Sequence, residues 1–295
     1  MRKSAERRFV IAFLTPAVLL YAVFLIWPLI QAFQFSMYRW RGVSSRRTFV
    51  GLGNFVKLAA DDAFHKALTN NLELLVIGGL AIMVVSVAVA HGLQSQSRIS
   101  RTLRGLVLIP QILSLVIVAI LWMFLFNPQF GLLTSGMKAL GLERYVHTWL
   151  GDPHTALPSV GTAFAWYAVG FYIMLFAAGL RSIPAEVIEA SELDGAVGLR
   201  RFWRVTWPML WSIKRIAVVH LTITVMNVFV LVFLMTNGGP DRATEVMLTY
   251  LYQNAFTNYE FGYATAVAVA NFVVVMILSV LILFLFRRNP EVSKA

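Results

Sequence analysis

The sequence has no cysteine, and only 13% of its 295 residues are Asp, Glu, Lys or Arg. Without cysteine there is no disulfide, no thiolate metal site and no cysteine nucleophile, although the compartment stays open. The scarcity of charge says more. A soluble domain is about 25% charged and about 45–50% apolar, whereas this chain is 59% apolar. A soluble core of this size could not hide that much apolar surface and leave so few charges for the exterior. Composition therefore disfavours a soluble enzyme, a disordered chain and a fibrous protein, and points to a polytopic membrane protein.

A spanning helix needs about 20 mostly apolar residues to cross about 30 Å of hydrocarbon. Six stretches qualify, at about 9–30, 74–93, 106–126, 160–180, 216–235 and 263–286. The longest connection, 31–73, is shorter than the roughly 50 residues an independent domain needs, so one transmembrane domain over 1–295 is expected. The first stretch is longer than the apolar core of a signal peptide and reads as a retained helix. The fold expected is all-α, six transmembrane helices in a lipid bilayer.

Basic residues outnumber acidic ones 25 to 14. In a soluble chain that excess would suggest nucleic acid; beside spans it marks the cytoplasmic side, and no nucleic-acid partner is expected. With the N-terminus inside, sixteen of the 25 fall on the cytoplasmic side. These include Arg2, Lys3, Arg7 and Arg8 before the first span, and Arg287, Arg288 and Lys294 after the last. Both termini are expected in the cytoplasm. One loop dissents: 31–73 carries Arg39, Arg41, Arg46, Arg47, Lys57 and Lys66 on the opposite side.

No span contains Asp, Glu, Lys or Arg. Intramembrane charge is the usual mark of ion-coupled carriers and voltage sensors, and no repeat or discontinuous helix is visible in the sequence. Polar residues within the spans bond neighbouring helices or line a path for an uncharged solute. Gln111, Tyr167, Tyr172, Asn227 and Asn271 are the candidates for such a path, with Asn227 near the middle of the fifth span; His220 reads as helix packing. GLLTSGMK at 131–138 imitates a phosphate loop but puts Met137 where the lysine must stand. No catalytic residue and no metal-ligand set is expected, so any ATP must be bound by another chain.

The most informative segment is 181–215. Pro184 suits a helix start, Glu186 favours the dipole in the first turn, and Gly195 and Gly198 end or bend the helix. Val187, Ala190 and Ser191 fall on one face at helical spacing, and Glu186, Glu189 and Leu193 on another. The order of residues, Glu189-Ala190-Ser191, then Gly195, then VTWP at 205–208, resembles the EAA loop of ATP-binding-cassette importer permeases: E-A-A, three residues, G, nine residues, I-x-L-P. Ser191, Val205 and Trp207 depart from it. EASELDGA at 189–196 is similar to the carbohydrate-importer form, E-A-A-x-x-D-G-A. FVGLGNF at 49–55, LMTNGGP at 234–240 and GYATA at 262–266 resemble further segments of the maltose/glycerol-phosphate type permeases, in the same order.

The resemblance implies a type I importer permease fold and the first of two permease subunits in a bacterial or archaeal cytoplasmic membrane. It implies four partners: a second permease, an ATPase dimer holding the ATP and magnesium, an extracytoplasmic solute-binding protein, and a small solute, a sugar or sugar derivative. Glu186, Glu189, Ala190, Ser191, Asp194 and Gly195 would form the coupling surface. Glu189 would pair with a basic residue of the ATPase, Ala190 and Ser191 would permit close approach, and Gly195 would supply the turn. A secondary carrier and a non-transport membrane scaffold are the alternatives left by the residues alone.

Overall fold

The computed structural model describes residues 2–44, 46–94 and 97–287, with the side chains of residues 2–8 outside the description. The basic side chains of Arg2, Lys3, Arg7 and Arg8, and residues Arg288 and Lys294, thus lie outside the described residues. The chain forms two compact units: residues 1–64 with 250–272, and residues 65–249 with 273–295. Among the described residues, five helices are long and apolar enough to cross a membrane: α1 (Phe9–Phe35), α2 (Asp62–Gly92), α5 (Pro153–Arg181), the run Trp211–Met235 and α9 (Phe261–Leu285). A sixth candidate is a bent pair, α3 (Arg98–Ile112) and α4 (Leu115–Leu125).

In the first unit, α1 leads into a short antiparallel hairpin, β1 (Tyr38–Arg39) and β2 (Thr48–Phe49), with Tyr38 opposite Phe49. Asn54 is buried, and its amide donates to the carbonyls of Ser36 (2.7 Å) and Tyr38 (3.0 Å), fixing the end of α1 to the hairpin. Gly262 lets α9 lie on the same strand. Its N–H donates to Trp40 O at 3.1 Å, and a Cβ there would stand 1.8 Å from Tyr38 O. Two of the sequence segments singled out above, 49–55 and 262–266, therefore both pack on residues 36–40. Asp61 closes the unit. It accepts the N–H groups of Ala63 (2.9 Å) and Phe64 (3.4 Å) and the hydroxyls of Tyr250 and Tyr263.

The second unit is a helical bundle around α5. Asp152 caps α5 by accepting His154 N–H at 2.8 Å, and Pro153 occupies its first turn, where no donor is lost. Small residues let other backbone approach it: Gly170 has no side chain because a Cβ would meet Val107 O at 2.1 Å. The core comprises Ile82, Val118, Ala119, Val160, Phe176, Ala217 and Val232, each no more than 1% exposed.

Two apolar runs that read as continuous in the sequence are broken. In the third, α3 and α4 meet at 99°. Leu113 and Ser114 are extended, and the Ser114 hydroxyl caps α4 by accepting Val116 N–H at 3.3 Å. Pro110 accounts for the earlier interruption at 107–108, since it supplies no N–H and disfavours helix just before it. In the fifth, α7 (Trp211–Met226) stops at Asn227, and α8 (Val230–Met235) starts after Phe229, whose φ of −139° is not helical. No proline or glycine stands there; side-chain hydrogen bonds hold the break instead.

Gly170→Ala is expected to cost about 1–3 kcal/mol through overpacking against Val107, read as a lower melting temperature of the purified protein. Gly136→Ala, at a site where a Cβ meets nothing within 4 Å, is expected to leave it unchanged. Equal melting temperatures for the two variants would contradict the close approach. A second expectation concerns pH. Burial raises the Asp61 carboxyl, but the hydroxyls of Tyr250 and Tyr263 and the N–H groups of Ala63 and Phe64 outweigh it and hold it below the usual aspartate value. Such a carboxylate stabilises the fold above its unfolded pKa, and the contribution is lost as pH falls through the folded value. Asp61→Asn should lower the melting temperature at pH 7 by about 2–4 °C and flatten its decline below about pH 4; an identical pH–melting profile would rule the network out as stabilising.

Candidate functional site

The 181–215 segment folds as a short helix, α6 (Ala185–Leu193), preceded by Pro184 and ended by glycine. The ending is a Schellman motif: Gly195 N–H donates to Glu192 O (3.0 Å) and Ala196 N–H to Ser191 O (2.8 Å). Gly195 has φ +73°, which glycine takes without strain, and a Cβ there would meet nothing within 4 Å. Glu186, Glu189, Ala190 and Asp194 are exposed, and Leu193 is 90% exposed. One helix surface thus carries acidic groups, a small residue and a bare leucine.

Ser191 differs from the sequence reading. Instead of sharing an outward face with Ala190, it is buried, and its hydroxyl donates to Ile188 O at 2.7 Å. The inward face is Val187, Ile188 and Ser191; successive residues turn by about 100°, so a grouping of 187, 190 and 191 straddled the boundary. The helix is attached to the helical turn that follows by the ion pair between Glu192 and Arg201.

Trp207, the largest departure from the EAA pattern, has a partner the sequence did not reveal. The Lys214 ammonium, on the first turn of α7, donates to Trp207 O at 2.8 Å and lies 4.2 Å from the Trp207 ring centroid and 5.2 Å from that of Trp211. Lys214 is only 6% exposed. Two indole faces and a carbonyl make burial of this cation tolerable. Aromatic contacts continue from Trp207 to Phe202 and Trp203. Side chains therefore connect α6, through Arg201 and the 202–207 aromatics, to α7.

The polar-path candidates separate. Asn227 is exposed at the break between α7 and α8, its amide donating to Ile223 O at 2.7 Å. Gln111 is half-buried just ahead of the break between α3 and α4, and Tyr167 is half-buried on α5. Tyr172 is 1% exposed, with its hydroxyl 3.0 Å from His220 Nδ1. That hydroxyl is consumed in packing between α5 and α7 and faces no open path in this conformation. Asn271 is buried on α9 and belongs to the other compact unit. The basic loop also finds partners within its unit. Arg47 lies over the rings of Phe35 (5.4 Å) and Trp40 (5.0 Å), Lys57 pairs with Glu260 at 2.8 Å, and Arg39, Arg41 and Lys57 line a cavity of about 520 Å³.

Long apolar helices, with two of the candidate spans broken, mark a multi-pass membrane protein. The family described as "Binding-protein-dependent transport system inner membrane component" matches residues 82–289, and the chain belongs to that family. It is 34% identical to the "Probable ABC transporter permease protein YurN" of Bacillus subtilis, covering 95% of this chain and 96% of that one. It is 34% identical to the "Diacetylchitobiose uptake system permease protein NgcF" of Streptomyces coelicolor, covering 95% and 82%. Its fold is similar to that of a chain in the crystal structure of a bacterial ABC transporter involved in the import of the acidic polysaccharide alginate, with a TM-score of 0.82, 22% identity and 98% coverage of both chains.

Proposed function

We propose that this chain is one of two permease subunits in an ATP-driven importer of a sugar or sugar derivative, in a bacterial or archaeal cytoplasmic membrane with both termini in the cytoplasm. The observation that carries the reading is α6: an exposed acidic helix, closed by a glycine turn, within the family-matched segment. The uptake of diacetylchitobiose named for the Streptomyces relative supports the sugar class. ATP and magnesium belong to a separate ATPase dimer, and an extracytoplasmic binding protein delivers the solute. The chain itself performs no bond chemistry; it changes which side of the membrane its path faces.

Coupling follows from the attachments of α6. Glu186 and Glu189 offer carboxylates to basic groups of the ATPase, and Ala190 lets the two surfaces approach closely. Asp194 and Gly195 end the helix in a fixed turn. The Glu192–Arg201 pair ties α6 to the turn that follows it, so displacement of α6 is carried through the 202–207 aromatics and Lys214 into α7. At the far end of α7 stands Asn227, the polar group assigned to the solute path.

Gly195→Asp and Glu189→Lys are expected to leave the complex assembled and to abolish solute stimulation of ATP hydrolysis in reconstituted vesicles. The space around Gly195 is open within the chain; beyond the roughly 1–2 kcal/mol of a left-handed residue, the effect of Gly195→Asp therefore reports the partner surface. Stimulation at the parental level in both variants would overturn the coupling assignment. Asn227→Leu is expected to abolish uptake while assembly and basal ATP hydrolysis persist. Normal uptake in that variant would return Asn227 to helix packing.

A further inference from the structure

Two consecutive asparagines of α2, Asn70 and Asn71, have no exposed surface at all. The amide of Asn70 donates to the carbonyls of Arg242 (3.3 Å), Ala243 (3.1 Å) and Glu245 (2.8 Å). Asn71 uses both ends of its amide. Nδ2 donates to Val225 O at 3.0 Å, and Oδ1 accepts Met247 N–H at 2.8 Å. Val225 lies in the last turn of α7. In an unbroken helix its carbonyl would take the N–H of Phe229, four residues on. The break removes that bond; Val228 N–H reaches the carbonyl at 3.1 Å, and Asn71 supplies the other donor.

Satisfying one carbonyl would need only a donor. Asn71 does more, because one rigid amide plane holds the end of α7 and the backbone at Met247 together. Asn71 is fully buried, so neither can move from the other without leaving a donor or acceptor unpaired. Glu245 strengthens the same segment: it is 1% exposed and its carboxylate accepts the Thr249 hydroxyl. The 242–247 segment is thus a stiff block, tied to α2 by Asn70 and to the broken span by Asn71.

We propose that Asn71 is a positioning residue for transport: it locks the break at 227–229 to the 242–247 segment, so that the two move as one when the path changes sides. The role rests on the reading that Asn227 borders the solute path. α7 is then driven from one end by α6 and held at the other by Asn71.

The test uses the full transporter complex in vesicles. The chain has no cysteine, so Phe229→Cys introduces a single thiol at the break. Its labelling rate by a water-soluble maleimide is measured alongside solute moved per ATP hydrolysed; both are normalised to the amount of complex, which a purely structural loss would leave unmoved. Asn71→Leu, close in volume but unable to make either bond, is expected to change the labelling rate and to lower the coupling ratio, each by at least about threefold. Asn71→Gln, which keeps both ends of the amide, is expected to lie nearer the parent. If Asn71→Leu is not recovered in the membrane, Asn71→Ala is read by the same criteria. Labelling and coupling both within about 1.5-fold of the parent would overturn the proposal. Failure of the path reading shows separately, as normal uptake in Asn227→Leu.

Discussion

Hydrocarbon offers no hydrogen bonds, so a helix that stops inside a membrane must hand its freed carbonyls and amides to side chains. This chain stops twice within runs apolar enough to span. At the first stop, Ser114 accepts an N–H that the new helix leaves over. At the second, Asn71 reaches across from another helix to Val225 O, which has lost its helical donor, while the Asn227 amide adds a second donor to Ile223 O. At each break a polar side chain stands where the backbone needs it. The exposed Asn227, the turn of the chain and the stiffness of the 242–247 block all follow from that substitution.

Much of the architecture was legible in the sequence because it depends on long stretches of apolar residues, whose signal adds over twenty positions. The breaks were less legible. Pro110 and Ser114 are visible punctuation, but the surrounding leucines and isoleucines outweigh them in any count of apolar residues. The break at 227–229 carries no proline or glycine, and its decisive partner lies more than 150 positions away. The turn at Gly195 was readable from its own residues, since a Schellman ending is local. The inward face of α6 was not: Ser191 is small and polar, and only its packing shows which way it points. The Lys214–Trp207 contact was hidden for a different reason. A lysine beside a span reads as a topology marker, Trp207 reads as a departure from the EAA pattern, and nothing local pairs either with Trp211.

The attachments of α6 and α7 share a physical style. Each is short-range and directional: a guanidinium on a carboxylate, indole faces on an ammonium, one amide plane bridging two backbones. The planar groups among them, the indoles and the Asn71 amide, have few rotatable bonds and pass a displacement on instead of absorbing it by changing rotamer. A mechanism that reverses the exposure of a polar path needs such contacts at both ends of the moving helix.

The 99° bend between α3 and α4 matters from the lipid side. α4 is eleven residues long, about 16 Å, half the hydrocarbon thickness. Acyl chains beside it meet a wall only half as tall as the one presented by α5. A bilayer can follow such a step only by thinning, or by leaving that sector to be covered by protein. The exposed apolar side chains of α4, Ile117, Ile120 and Phe124 among them, therefore need a cover that a bilayer of ordinary depth supplies only by deforming.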